Sequence, residues 1–417
     1  MRPLTGAGTD QPISIATAIR RLLVPLYLPA FFFFVGVGML VPTLPLLLAE
    51  FGVSYTAIAV GVAVVSVGTI LFNLPAGVLL GRFSNRVVTT VGALVMLATT
   101  LPLVVADEFT QVLLLRLVFG CGLSMVFLSR VTLLGEAVDV EHRGRATAVL
   151  GGTMRISRFF LGPALVGLFG AFLDLRALFA VAAAFQAVAA LASWFGQRGE
   201  EELRRTETPR TNVFQGLDVA RVYLQPRVAI ASAGAFLGQF TRAARLAIIP
   251  FFGAFVLDLD ASAIGYITAV GGALDMVFFP LAGWMMDRLG RKFCSVPSFT
   301  VMGLGMFLVA VSDTWMLLLV ASAVLGIGNG LGSGALMTLG VDLSPPDRIS
   351  EFLGAWRAIG EVGELSGSVL PGQFGDSVGF ENGSMILGAI GLFGGLLILL
   401  FVPETLKKSP ARVQKSA

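Results

Sequence analysis

Residues 283–292 read Gly283-Trp-Met-Met-Asp287-Arg288-Leu-Gly290-Arg291-Lys292, and they stand between two long apolar runs. Gly283 is small enough to let two helices approach closely. Asp287 follows four residues later on the same helical face. Arg288, Arg291 and Lys292 stop the preceding helix from sliding further into an apolar medium, and Gly290 permits a tight reversal. The stretch therefore reads as a short charged turn between two membrane-crossing helices.

The rest of the chain agrees. Of 417 residues, 56% are apolar and 13% charged, against about 25% charged in ordinary soluble domains. Fifty Gly and 33 Phe suit closely packed membrane helices. With about 20 apolar residues needed per crossing, the sequence predicts an all-α polytopic membrane protein of twelve spans, roughly 22–48, 55–80, 87–106, 110–134, 146–172, 175–196, 228–257, 262–286, 293–312, 315–341, 350–372 and 383–402. Spans 4, 5 and 11 are interrupted by charges. Cys121 and Cys294 lie in or beside apolar runs and read as small buried hydrophobes, and the single histidine, His142, falls in a loop. Nothing implies a metal, a cofactor or nucleic acid. No nucleophile, base and orienting group occur together, so an enzyme is not expected.

Orientation follows from Lys and Arg. Arg20, Arg21, Arg82, Arg86, Arg143, Arg145, Arg288, Arg291, Lys292, Arg348, Lys407 and Lys408 fall on one side, whereas the opposite loops carry Asp107, Glu108, Asp258, Asp260, Asp313, Asp376 and Glu381. The basic side is cytoplasmic, which puts both termini in the cytoplasm and the protein in a bacterial-type inner membrane. The first 20 residues are too polar for a cleavable signal. Residues 197–227, rich in Arg and Glu, read as a cytoplasmic linker between an N-terminal bundle, 1–196, and a C-terminal bundle, 228–417. That linker is either a plain tether or partly an amphipathic surface helix.

A weaker copy of the charged turn occurs in the first half as Gly77, Gly81, Arg82, Ser84, Asn85 and Arg86. Gly77 and Gly283, Gly120 and Gly326, Arg143 and Arg348, and Pro45 and Pro250 recur at a near-constant offset, which indicates a duplicated half. Residues 283–292 resemble the signature loop of the major facilitator superfamily of transporters, G-x-x-x-D-R-x-G-R-K, at every fixed position. The resemblance covers nearly the whole chain. It implies two six-helix bundles around a central cavity lined by helices 1, 4, 7 and 10, and a cytoplasmic latch in which Asp287 meets the start of helix 11. In the first copy Gly81 replaces that aspartate, so the latch there is expected to be weaker. Arg116-Leu-Val-Phe-Gly120-Cys-Gly122 resembles the family's helix-4 motif, whose arginine is linked to proton transfer. A shallow arginine snorkelling to the surface stays an open alternative for Arg116. Arg158-Phe-Phe-Leu-Gly162-Pro163-Ala-Leu-Val-Gly167 partly resembles the Gly-Pro motif of the antiporter branch, with Gly162, Pro163 and Gly167 as a helix-5 hinge.

Ionisable residues inside spans are functional candidates. Arg155 and Arg158 in span 5, and Arg242 and Arg245 in span 7, stand three apart and are candidate substrate contacts, with Gln239 and Asn329 as neutral partners. Asp275 in span 8 and Glu361 and Glu364 in span 11 are the candidate proton carriers, since span 1 holds no acid. Asp275 is preferred because it lies near the centre of its span. The arginines outnumber these acids, which hints at a substrate bearing a carboxylate, phosphate or phenolate. Alternatively, Arg116, Arg130 and Arg357 hold helix ends. No ATP-binding loop occurs. The expectation is a monomeric transporter that exports a small organic molecule against protons. The alternatives are a symporter or facilitator for a small organic anion and, less favoured, a non-transporting sensor or scaffold.

Overall fold

The computed structural model describes residues 22–138, 140–197, 223, 225–345 and 349–406. Every regular element among them is helical. We number the continuous rods α1 to α12. α1 opens as a π turn, Leu23–Tyr27, and runs to Ala49. α2 is Tyr55–Arg82, α3 is Asn85–Thr100 with a 3-10 end to Val105, and α4 is Phe109–Ala137. α5 has three segments, Val140–Arg155, the π turn Ile156–Leu161, and Gly162–Phe169; α6 is Leu175–Gly196. α7 is Pro226–Phe255, α8 is Ala261–Arg288 and α9 is Lys292–Ala310. α10 is broken into Trp315–Leu331 and Ala335–Leu343, α11 is Ile349–Ser377 and α12 is Phe380–Phe401. The twelve expected spans are met, each by one rod. The linker expected at 197–227, and the side chains of His142, Arg143 and Arg348, lie almost wholly outside the described residues.

Nine of these helices are long and apolar enough to cross a membrane on length and composition, judged on the described residues. The other three are α5, α7 and α11. The sequence reading expected α4 in that group and not α7. In α4 the two arginines are far apart and Glu136 lies at the very end, whereas in α7 Gln239, Arg242 and Arg245 crowd one stretch. Large apolar side chains left exposed, Leu74, Phe172 and Leu400 among them, form the surface that lipid covers.

Helix starts follow from capping. Ser54 Oγ accepts from Ala57 N, Ser84 Oγ from Val87 N, Thr314 Oγ1 from Leu317 N and Asp260 Oδ1 from Ala263 N. The π turns follow from proline. Pro29 and Pro163 have no N–H and crowd the carbonyl four residues earlier. Each helix opens one turn just before its proline, with Leu28 N bonding Leu23 O and Gly162 N bonding Ser157 O. Carbonyls loosened this way need other donors. In α1, Gln197 Nε2 donates to Pro25 O at 3.0 Å and Arg130 Nη1 donates to Leu26 O at 2.7 Å. Arg130 Nη2 also donates to Ser193 Oγ at 3.2 Å. Arg130, 1% exposed, is thus a packing residue of α4.

Contacts divide the chain into two units, Met1–Arg210 with Pro250–Gly272, and Thr211–Ile249 with Ala273–Ala417. The first half of α8 therefore belongs to the first unit. There Ser262 Oγ donates to Gly167 O. A Cβ on Gly272 would overlap Phe159 O, and one on Gly162 would overlap the Gly38 backbone. The expected helix-5 hinge is therefore a close-packed π turn: Phe159 O is the carbonyl that Pro163 deprives of its usual bond, and Gly272 lies against it. The second unit packs around Phe299, Phe352, Trp356 and Ile398. Tyr223 stacks on Phe352 at 4.8 Å and donates to Phe352 O at 2.7 Å. Burial pushes its phenol up to about 12, so it stays a donor.

Candidate functional site

Five of the residues singled out in the sequence come together inside the second unit. α7 presents Gln239, Arg242 and Arg245 along one side. α8 places Asp275 half-way along its length, about 20 Å from either end at 1.5 Å per residue. Asp275 is 1% exposed and Arg245 5%. Arg245 Nη2 lies 3.9 Å from Asp275 Oδ2, and Asn329 Nδ2 of α10 donates to the same oxygen at 2.9 Å. A carboxylate this deep is tolerated because a guanidinium and an amide dipole replace the water it has lost.

The break in α10 lies beside this cluster. The first segment ends at Leu331, and Gly334, with φ of +82°, starts the second. A left-handed residue there favours glycine. Arg242 Nη2 donates to Gly332 O at 2.6 Å, at the carbonyl end of the first segment, and Arg242 Nη1 to Gln239 Oε1 at 3.2 Å. Ser298 Oγ of α9 donates to Gly328 O at 2.6 Å. α7 thus holds one side of the break through Arg242, while Asn329, three residues before it, is tied to Asp275. Unwound backbone facing charged side chains is the form that ion and substrate sites take in transporter helices.

The other acids stand apart. Arg357 Nε donates to Glu361 Oε1 at 2.9 Å within α11, and the arginine side chain is 59% exposed. Glu364 is half-buried. Among the described residues no hydrogen bond or ion pair joins Glu361 or Glu364 to Asp275.

In the first unit, Arg116 of α4 is 6% exposed with its guanidinium 4.6 Å above the Phe119 ring. It does not snorkel to a surface. Its charge is felt by Arg158, whose own guanidinium lies 5.3 Å from the Phe159 ring. Arg155 ends the first segment of α5 and Arg158 sits inside the π turn.

The signature turn is held from an unexpected direction. Gly290 has φ of +117°, the left-handed reversal foreseen for it. Among the described residues a Cβ on Gly283 would meet nothing within 4 Å, so none of them makes the close helix contact expected of it. Glu404, just beyond α12, accepts from Arg291 N at 3.0 Å and from Lys292 N at 3.1 Å, which caps α9 with a carboxylate. Arg291 Nε pairs with Asp342 Oδ2 at 2.8 Å, and Thr405 Oγ1 donates to the same carboxylate at 2.6 Å. Arg288 lies over Trp284. Asp287 is exposed, with no hydrogen bond or ion pair among the described residues. In the first copy, among the described residues, Gly77 has only a loose neighbour and Gly81 none; Arg82 closes α2, and Arg86 lies 3.8 Å over the Trp194 ring.

Two features escaped the sequence reading. The α10 break was signalled by Gly330-Leu-Gly332-Ser-Gly334. Glu404 was signalled only by being the one acid in an otherwise basic tail.

The Major Facilitator Superfamily profile matches residues 26–274 and 231–417. An uncharacterized MFS-type transporter of Escherichia coli strain K12, YhjX, is 31% identical over 193 residues, 44% of this chain and 45% of the relative. The quinolone resistance protein NorA of Staphylococcus aureus is 23% identical over 170 residues, 40% of this chain and 44% of the relative. The matched stretches thus span less than half the length of either relative. Among solved structures, a bacterial homolog of the human lysosomal transporter Spinster, inward-facing and unoccupied, superposes with a TM-score of 0.73 at 14% identity, covering 94% of this chain and 99% of that one.

Proposed function

Because the chain belongs to the Major Facilitator Superfamily, and is therefore a multi-pass membrane transporter, we propose that it exports a small organic molecule across the cytoplasmic membrane in exchange for protons, with Asp275 as the proton-carrying group. The observation that carries this reading is the Asp275–Arg245–Asn329 cluster, buried at the middle of α8 and set against the broken α10. Protonation of Asp275 removes its attraction for Arg245 and weakens the hold of Asn329. Arg242 still holds Gly332 O at the end of the first segment of α10. Antiport requires proton and substrate to exclude each other at one group, and a substrate amine competing for the Asp275 carboxylate meets that requirement. The relative named for quinolone resistance supports export, since removal of a drug confers resistance to it. Asp287 and its neighbours would act as the cytoplasmic latch.

A second reading has its own support. A proton on Asp275 also releases Arg245 to hold an anion, and proton and anion would then travel together. Proteoliposomes with a pH dye inside, given norfloxacin outside with no imposed gradient, separate the two. Antiport predicts that norfloxacin entry drives protons out and alkalinises the lumen, and Asp275→Asn abolishes the signal. Acidification of the lumen overturns export by exchange in favour of symport. Equal norfloxacin flux with no pH change in wild type overturns proton coupling.

A further inference from the structure

We propose that a cleft between α7, α11 and α12 of the second unit holds an acyl chain of a membrane lipid whose headgroup carries an ammonium group. The inference goes beyond the transport reading and does not depend on its direction or its coupling. Its first support is the cavity itself, of about 640 Å³, lined by Phe236 and Phe240 of α7, Leu370 of α11, and Ile386, Ala389 and Phe393 of α12. Ser366 is the polar residue of the lining, and its Oγ donates to Val362 O at 2.8 Å. The wall therefore asks no hydrogen bond of a ligand. Glycines build the cleft. A Cβ on Gly363 or Gly367 would overlap Phe236 O or Phe240 O, and one on Gly388 or Gly394 would press on Gly303 O or the Phe299 ring. α11 is thereby drawn onto α7 and α12 onto α9, and a gap stays open between the two pairs.

The second support is where the cleft opens. Ile386, Ala389 and Phe393 are exposed and continuous with the apolar surface that lipid covers, so hydrocarbon borders the opening. Counted from the turn between α11 and α12, Ile386 is about 9 Å in and Phe393 about 20 Å in. Acyl chains of the nearer leaflet reach this depth in a core about 30 Å thick. The third support is the rim. Toward that turn, Phe393, Ala389 and Ile386 are followed on one helical face by Asn382, and Ser366 and Leu370 by Gln373 and Ser377. Asn382, Gln373 and Ser377 are exposed, and the Gln373 side chain has no hydrogen bond among the described residues. An apolar cleft ending in a polar rim fits an amphiphile. Charge selects the headgroup. Glu381 is exposed in the first turn of α12, and neither Lys nor Arg occurs between Arg357 and Lys407. A purely anionic headgroup finds no cation there. With an ammonium phosphodiester, Glu381 accepts from the ammonium and the Gln373 amide donates to the phosphate.

The test uses purified full-length protein in phosphatidylglycerol nanodiscs that contain a trace of phosphatidylethanolamine with a diazirine half-way along one acyl chain. After irradiation, mass spectrometry maps and counts the label. The proposal predicts saturable label concentrated on residues 366–370 and 386–393. The same probe built on phosphatidylglycerol labels these segments at least threefold less. Ala389→Phe fills the cleft and cuts the label at least fivefold, whereas Leu74→Phe, at an exposed site on α2, leaves it unchanged. Glu381→Gln removes the difference between the two probes. Should Ala389→Phe fail to fold by size exclusion, Ala389→Leu fills less and cuts the label at least twofold. Label spread evenly over the exposed helix faces, unchanged label in the folded Ala389 variants, or equal labelling of the wild type by both probes overturns the proposal. So does absence of label together with cross-links between two copies at Phe393, which would give the cleft to a second copy of the chain.

Discussion

Asp275→Asn is the most informative single change in the protein. It keeps the size of the side chain and an oxygen for Asn329, and removes only the charge facing Arg245. At 3.9 Å two unit charges attract by about 4 kcal/mol at an effective dielectric near 20. Breaking a buried pair by removing one partner costs about 3–5 kcal/mol, because the other charge is left in a poor environment. Both Asp275→Asn and Arg245→Gln should therefore lower stability by about 3–5 kcal/mol. The double variant removes both charges and should lose no more than either single one. The cycle then yields an interaction energy of about 3–5 kcal/mol, at or above the upper end of the range for contacting residues. Reversible unfolding in mixed micelles, followed by the fluorescence of the four tryptophans, gives each value. A double variant that loses the sum of the two single effects would show that the side chains do not act as a pair, and the account of the cluster would fail.

Three further outcomes follow from geometry. Gly272→Ala forces a methyl group onto Phe159 O and should destabilise by about 1–3 kcal/mol; Gly81→Ala, with nothing near it, should be neutral or stabilise by up to about 1 kcal/mol, and the same unfolding assay compares them. Glu404→Gln weakens the cap on α9 and should cost about 0.5–2 kcal/mol, with faster hydrogen exchange at the Arg291 and Lys292 amides as the local readout. Arg130→Ala orphans Leu26 O at the α1 π turn and leaves a void; a loss of about 2–5 kcal/mol is expected, against less than about 0.5 kcal/mol for Arg82→Ala at the exposed end of α2.

The fold was legible because it rests on signals the sequence writes plainly: long apolar runs, Lys and Arg between them, and a charged turn repeated in both halves. The clustering of Gln239, Arg242, Arg245, Asp275 and Asn329 was only partly legible. Each was visible as a polar residue out of place in an apolar span, but which of them meet depends on helix rotation and packing. Glu361 shows the limit: its partner, Arg357, is its own neighbour at i,i+4. Gly283 was misread because a glycine's size shows nothing of the space around it. The π turns of α1 and α5 follow from Pro29 and Pro163, yet a proline in a helix can equally give a simple kink, and the side chains that relieve it, Arg130 and Gln197, come from other helices. The hold of Glu404 on α9 joins segments more than a hundred residues apart, beyond any local pattern.

The central claim, that Asp275 takes up and gives off the transported proton, can be tested without knowing the substrate. Infrared difference spectra of the full-length protein between acid and alkaline pH report the carbonyl band of any carboxyl group that gains a proton. A buried-carboxyl band should appear in wild type, persist in Glu361→Gln and Glu364→Gln, and vanish in Asp275→Asn. Persistence of that band in the folded Asp275→Asn protein would place the proton elsewhere and contradict the account.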